Sequence, residues 1–286
     1  MTRGLDQARS LATPADHQLA AELAGQSAAL LRELRASFGG GPDTLRGTSD
    51  ALRSASDTLR REGDRRSHEL LVSELAARRP ADAVLSEEGV DSTVRLAARR
   101  VWIVDPLDGT REFGEPPRVD WAVHVALVID GFPVAGAVAL PALHQVWSTA
   151  PGTDPAPAAL ADPGTPGTPG ARPRLAVSRT RPGWSADAIG RELGAEPVPL
   201  GSAGFKALAV VRGEADIYAH SGGQYEWDSA APVAVALAHG LHASRLDGSP
   251  LTYNNANPYL PDLLIARPAW ADAALRAVAG GPPGPV

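Results

Sequence analysis

Apolar positions along the chain change period several times, and each change marks an element. Between residues 17 and 34, Leu19, Leu23, Ala28, Leu30, Leu31 and Leu34 recur at near-helical spacing, which predicts an amphipathic helix laid on a core. The glycines and Pro42-Asp43 within 38–48 predict a loop. Helical spacing resumes over 49–76, with Leu70, Leu71, Val72, Leu75 and Ala76 as the apolar face and Asp64 as a helix charge. The period then shortens. Residues 83–86 (AVLS) predict a short strand ending in Glu87-Glu88-Gly89, and 101–104 (VWIV) a buried strand that Pro106 should end at Asp105. WAVHVALVI at 121–129 and VAGAVA at 134–139 predict a hairpin about Asp130-Gly131, and 145–149 a further strand. His124, inside an apolar run, reads as a core histidine.

In the second half, 174–178 predicts a strand, 185–193 a helix and 197–200 a short strand. A glycine-bounded turn, Gly201-Ser202-Ala203-Gly204, precedes the apolar run 205–211. Residues 215–219 (ADIYA) predict a strand, and Asp228 caps a small-residue helix over 229–238 with Pro232 in its first turn. Between the halves, 151–172 is so dense in proline and glycine that it predicts a mobile connection. The expected organisation is an N-terminal α+β domain over 1–150, a flexible loop over 151–172 and a C-terminal α/β domain over 173–286.

Composition narrows the function. With 286 residues and 44% hydrophobic content the chain can bury a sizeable core, as one large domain or two smaller ones. A net charge of −6 argues against binding a nucleic acid polymer, so any nucleotide handled should be small. With no cysteine, metal ligands are limited to oxygen and imidazole. The N-terminal stretch lacks the apolar run of a signal peptide, and no segment is apolar enough to span a bilayer, which makes a cytoplasmic protein without membrane partners the expectation.

The candidate chemistry centres on residues 101–113. There a strand, a turn permitted by Gly109, and a helix opened by Thr110 and Glu112 bring Asp105 and Asp108 together beside free helix N–H groups. Paired carboxylates beside an anion-receptive helix end suit divalent cations that hold a phosphate. Glu87 repeats the pattern of a carboxylate at a strand end. Neighbours on an extended chain point to opposite sides, so Glu87 is assigned to the site and Glu88 is held in reserve. Ser202 and Lys206, the solitary lysine, flank a turn suited to a second anionic group, and a capping Asp228 can also offer an oxygen to a metal.

Taken together, LSEE, WIVDPLDGTREF and EWDSAAP resemble the inositol monophosphatase superfamily of lithium-sensitive, magnesium-dependent phosphomonoesterases. VSRTR, GSAGFK and HASRLDGSPLTYN are similar to its CysQ-type 3'(2'),5'-bisphosphate nucleotidases of sulfur metabolism, particularly the actinobacterial ones. The resemblance spans about residues 15–270 and implies an α+β fold layered α-β-α-β-α. It also implies two or three Mg2+ ions held by Glu87, Asp105, the Leu107 carbonyl, Asp108 and Asp228. Asp64 and Thr110, with Glu87, would activate the attacking water. Asp64 is placed by its distance from Glu87, since RREGDR replaces the usual motif. Gly109, Thr110, Arg179, Arg181, Ser202, Lys206, His220 and Asp228 would contact substrate, His220 standing where the family pattern leads one to expect an arginine. The implied reaction converts 3'-phosphoadenosine 5'-phosphate, or its sulfated analogue, to release the 3'-phosphate. An inositol- or sugar-phosphate phosphatase, or a related phosphatase in a specialised biosynthetic pathway, is the alternative, and the resemblance points to a homodimer.

Overall fold

The computed structural model describes residues 2–39, 49–152, 154, 155, 164, 166, 168 and 170–282. The expected loop over 38–48 and the proline-glycine connection over 151–172 therefore fall largely outside the described residues.

Three helices come first: α1 (Thr2–Arg9), α2 (Pro14–Gly39) and α3 (Ser49–Arg78). A five-stranded sheet follows in the order β1 (Ala83–Ser86), β2 (Arg100–Asp108), β3 (Ala122–Ile129), β4 (Phe132–Leu140) and β5 (Gln145–Ser148). Only β1 and β2 run parallel. The β3–β4 hairpin closes through Asp130 (φ 50°) and Gly131 (φ 82°), and a two-residue turn with both φ positive matches the twist of the strands it joins. A one-turn helix, α4 (Thr110–Phe113), follows β2.

The second sheet contains β6 (Arg174–Ser178), β7 (Glu196–Leu200), β8 (Ile217–Tyr225), β9 (His242–Ser244) and β10 (Tyr259–Ala266), in the order β7-β6-β8-β10-β9. Its helices are α5 (Trp184–Leu193), α6 (Ala203–Val211), α7 (Glu226–Ala238) and α8 (Pro268–Val278).

Strand alternation assigns the layers. In β2, Trp102 and Val104 pack with α2 and α3, whereas Val101 and Ile103 turn toward α6 and α7. Tyr218, Leu263 and Ile265 of the second sheet reach those same two helices from the other side. Leu175, Ile217, Ala219 and Leu264 face α5 and α8. The result is the expected α-β-α-β-α sandwich. Both faces of the first sheet are covered, which is why its strands read as unbroken apolar runs. No helix among the described residues is long and apolar enough to cross a membrane.

Three local expectations are corrected. β2 does not end at Asp105. It pairs with β3 again at Asp108, opposite Ala122, after a register shift that accommodates Pro106 where no ladder N–H is needed. Asp228 is not the N-cap of α7: the helix starts at Glu226 with Tyr225 as N-cap, and Asp228 is its third residue, accepting Tyr225 N–H at 2.7 Å. Pro232 consequently lies inside the helix rather than in its first turn.

The middle layer is thin because α7 carries small residues toward β4. A Cβ built on Gly136 would lie 3.0 Å from Ala234 Cβ and 3.3 Å from Ala231 Cα. Gly136→Val should therefore lower unfolding free energy by about 1–3 kcal/mol through overpacking, read as a reduced midpoint in chemical denaturation.

Candidate active site

The end of β1, the bulged end of β2 and the first turn of α7 converge at one cleft. Glu87 N–H donates to Val104 O at 3.3 Å, fastening the end of β1 beside β2. Asp105 is buried, and its Oδ1 accepts Leu107 N–H at 3.0 Å. Loss of water raises the Asp105 pKa well above the usual carboxylate range, and the charges of Glu87, Asp108 and Asp228 raise it further. Glu87 stands at the solvent edge of the cluster. Even so, loss of water around its carboxyl, with the charges of Asp108, Glu88 and Asp64, pushes the pKa up to about 7, a hydrogen bond with Asp105 only partly offsetting that rise. Burial and the neighbouring Asp108 push Asp228 to about 7 as well.

Asp108 behaves differently. Burial alone would raise its pKa, yet His124, Ser202 and Lys206 together lower it to about 2. Its Oδ2 accepts from Ser202 Oγ at 2.5 Å and Gly204 N at 2.6 Å, and its Oδ1 from Ala203 N at 3.0 Å. The carboxylate of β2 thus caps the opening turn of α6 in the other half of the chain. His124 lies below it, with Nε2 3.2 Å from Asp108 Oδ2 and Nδ1 3.0 Å from the Trp227 carbonyl. Burial disfavours the imidazolium, but Asp108 outweighs burial and the His124 pKa rises. The expected core histidine is therefore buried as read, with its ring facing the acidic cluster.

These residues fit the magnesium that the family resemblance implies. Four mutually repelling carboxylates with raised or tightly compensated pKa values form a hard oxygen donor set. Asp105, Asp108 and His124 each place a ligand-type atom within 4.8 Å of the others. The hydrogen bonds on Asp108 still leave lone-pair capacity on Oδ1.

Beside the cluster, Thr110 Oγ1 lies 3.2 Å from Asp64 Oδ1 and 3.0 Å from the Leu107 carbonyl. The structure thus brings Asp64 of α3 to Thr110, although the sequence around it lacks a matching motif. Burial and the charge of Glu88 push the Asp64 pKa up to about 7.

Gly109, Arg179, Arg181, Ser202, Lys206, His220 and Asp228 line a cavity of about 300 Å3 that opens from Asp108. Thr110 is not in that lining. Lys206 is only 6% exposed, and its ammonium donates to the Gly201 and Ser202 carbonyls. Ser202 Oγ caps α6 by accepting Phe205 N–H while bonding Asp108. Burial and the nearby Lys206 lower the His220 pKa to about 4, so its ring is neutral near pH 7.

Several supporting residues escaped the sequence reading. Ser67 Oγ donates to the Pro106 carbonyl at 2.6 Å and fixes the bulge. Glu226 accepts Asn254 and Asn255 N–H groups, holding that loop against the start of α7, and Arg95 ties the same loop to Asp91. Asp120, buried just before β3, gathers Arg118, Arg179 and Gly201. An acid directly preceding a buried strand was the one signal available for Asp120.

Comparison with known proteins agrees with this architecture. Residues 16–279 match the description "Inositol monophosphatase family". A Mycobacterium bovis protein named 3'-phosphoadenosine 5'-phosphate phosphatase is 53% identical over 222 residues, covering 76% of this chain and 80% of the relative. A Mycobacterium leprae protein of the same name is 49% identical over 262 residues, covering 88% and 89%. Among solved structures, CysQ from Bacteroides thetaiotaomicron superposes with a TM-score of 0.68 at 26% identity, covering 90% of this chain and 98% of that one. Matched over most of its length by family, relatives and fold, the chain belongs to the inositol monophosphatase family.

Proposed function

We propose that the protein is a magnesium-dependent phosphomonoesterase that removes the 3'-phosphate of 3'-phosphoadenosine 5'-phosphate, leaving AMP and inorganic phosphate. The observation that carries this reading is a single cavity lined at one side by Asp108 and Asp228, two members of the acidic cluster, and at the other by Arg179, Arg181 and Lys206. Such a cavity suits a substrate with one anion at the reacting end and another at a distance. The names of the mycobacterial relatives point to the same substrate.

Glu87, Asp105, Asp108, Asp228 and the Leu107 carbonyl would hold two or three Mg2+ ions. Bound there, magnesium would supply Lewis-acid stabilisation of phosphate charge and a more acidic attacking water. The rest of the work falls to the chain itself. The Thr110 hydroxyl, poised between Asp64 and the Leu107 carbonyl, accepts the water's proton as it passes its own to Asp64 Oδ1. Asp64, with a pKa of about 7, is basic enough to receive that proton near neutrality. Arg179 and Arg181 hold the non-reacting phosphate and so anchor the substrate in the cleft.

A phosphate-release panel with magnesium should favour 3'-phosphoadenosine 5'-phosphate over inositol and sugar phosphates, and preference for the latter would overturn the assignment. Asp64→Asn should lower kcat about 10²- to 10⁴-fold while leaving KM nearly unchanged, measured by steady-state kinetics. Asp105→Asn should abolish magnesium-dependent turnover without lowering the melting temperature of the metal-free protein, because it removes one of four repelling charges. The wild type at about 100 times the magnesium dissociation constant should gain about 2.7 kcal/mol, a gain the variant loses in calorimetry.

A further inference from the structure

Asp120 is 4% exposed and stands at the entrance to β3 on the first sheet. Its Oδ1 accepts Arg118 Nε at 3.1 Å. Its Oδ2 accepts three donors: Arg118 Nη2 at 2.9 Å, Arg179 Nη2 at 2.5 Å and Gly201 N at 2.5 Å. Arg118 is held in turn by Glu112 Oε1 at 3.0 Å, and Arg35 Nη1 donates to the Arg118 carbonyl at 2.6 Å. Arg179 and Gly201 follow the ends of β6 and β7, and Arg179 N–H donates to Leu200 O at 3.1 Å. One buried carboxylate on the first sheet therefore fixes two loops of the second.

The packing at this point is close. A Cβ on Gly201 would come within 2.6 Å of Glu112 Cγ and 2.8 Å of Asp120 Oδ2, so only glycine lets its N–H reach the carboxylate. Arg179 spends one nitrogen on Asp120 and still lines the catalytic cavity with a side chain 38% exposed. Its other guanidinium N–H groups have no protein partner among the described residues. A guanidinium pinned along one edge presents its other edge in a fixed direction, which is the arrangement that favours bidentate capture of a phosphate. Arg118 is shared between Asp120 and Glu112, whereas Arg179 pairs with Asp120.

We infer that Asp120 is a positioning residue that holds Arg179 against the non-reacting phosphate of a bisphosphate substrate, and so sets the preference for two anionic groups over one. This rests on the function proposed above. The test compares 3'-phosphoadenosine 5'-phosphate with 3'-AMP, which carries the same scissile group and lacks the second phosphate, in wild type, Asp120→Asn, Arg179→Ala and the double variant. Asp120→Asn should raise KM for the bisphosphate about 10-fold with kcat nearly unchanged, as expected for loss of a charge-assisted contact made equally in ground and transition states. KM for 3'-AMP should not move, and the double variant should be no worse than Arg179→Ala alone. Equal changes for both substrates, additive effects, or a lowered melting temperature with unchanged KM would overturn the inference and leave Asp120 a staple between sheets. If Asp120→Asn does not fold, Arg179→Lys keeps the charge but loses the planar fork. It should raise KM for the bisphosphate only, and an equal effect on both substrates would again overturn the inference. A wild type that turns over both substrates with the same KM would instead refute the two-anion reading itself.

Discussion

Repulsion among carboxylates gathered in a place with little water is the constraint on which the rest of the molecule depends. Left to themselves Glu87, Asp105, Asp108 and Asp228 would separate or protonate, and three of them have pKa values raised by burial and by one another. The fold keeps them together by mounting each on a rigid element. Glu87 is fastened to Val104, Asp105 to its own bulge, Asp108 to the start of α6 and Asp228 to the capping turn of α7. The sandwich can be viewed as the scaffold needed to hold like charges in a geometry they would not choose.

The middle helical layer makes that possible. α6 and α7 each touch both sheets, so a residue at either helix start can reach groups carried on β2. Their small side chains allow the close approach, with Gly136 against Ala231 and Ala234 and Gly204 directly against the His124 ring. Larger residues there would separate the sheets and, with them, the two halves of the site.

Much of this was legible in the chain because the chemistry is locally encoded. Residues 105–110 carry their carboxylates, turn glycine and helix-opening threonine within six positions, and apolar runs announced the strands on either side. Two strands depart from the sequence pattern for one cause. Pro106 predicts an end to β2 and the apolar pattern does not announce β10, yet both strands continue past a proline because each register shift falls at that proline, Pro106 or Pro261. Pro197 and Pro199 are tolerated in β7 for a related reason, since that strand forms the edge of its sheet. Asp120 was missed because its partners Arg179 and Gly201 lie 59 and 81 residues away, a distance over which residue spacing carries no signal. Asp64 could be placed only by distance along the chain, and its meaning became visible once α3 set it beside Thr110.

The capping of α6 by Asp108 has a mechanical consequence. The same two oxygens serve the electrostatics of the cleft and the seam between the halves of the sandwich, so a pull on that carboxylate is transmitted to Ser202, Ala203 and Gly204. Lys206 sits one turn further along the helix and lines the same cavity. The seam between the halves and the floor of the cleft therefore answer to one carboxylate.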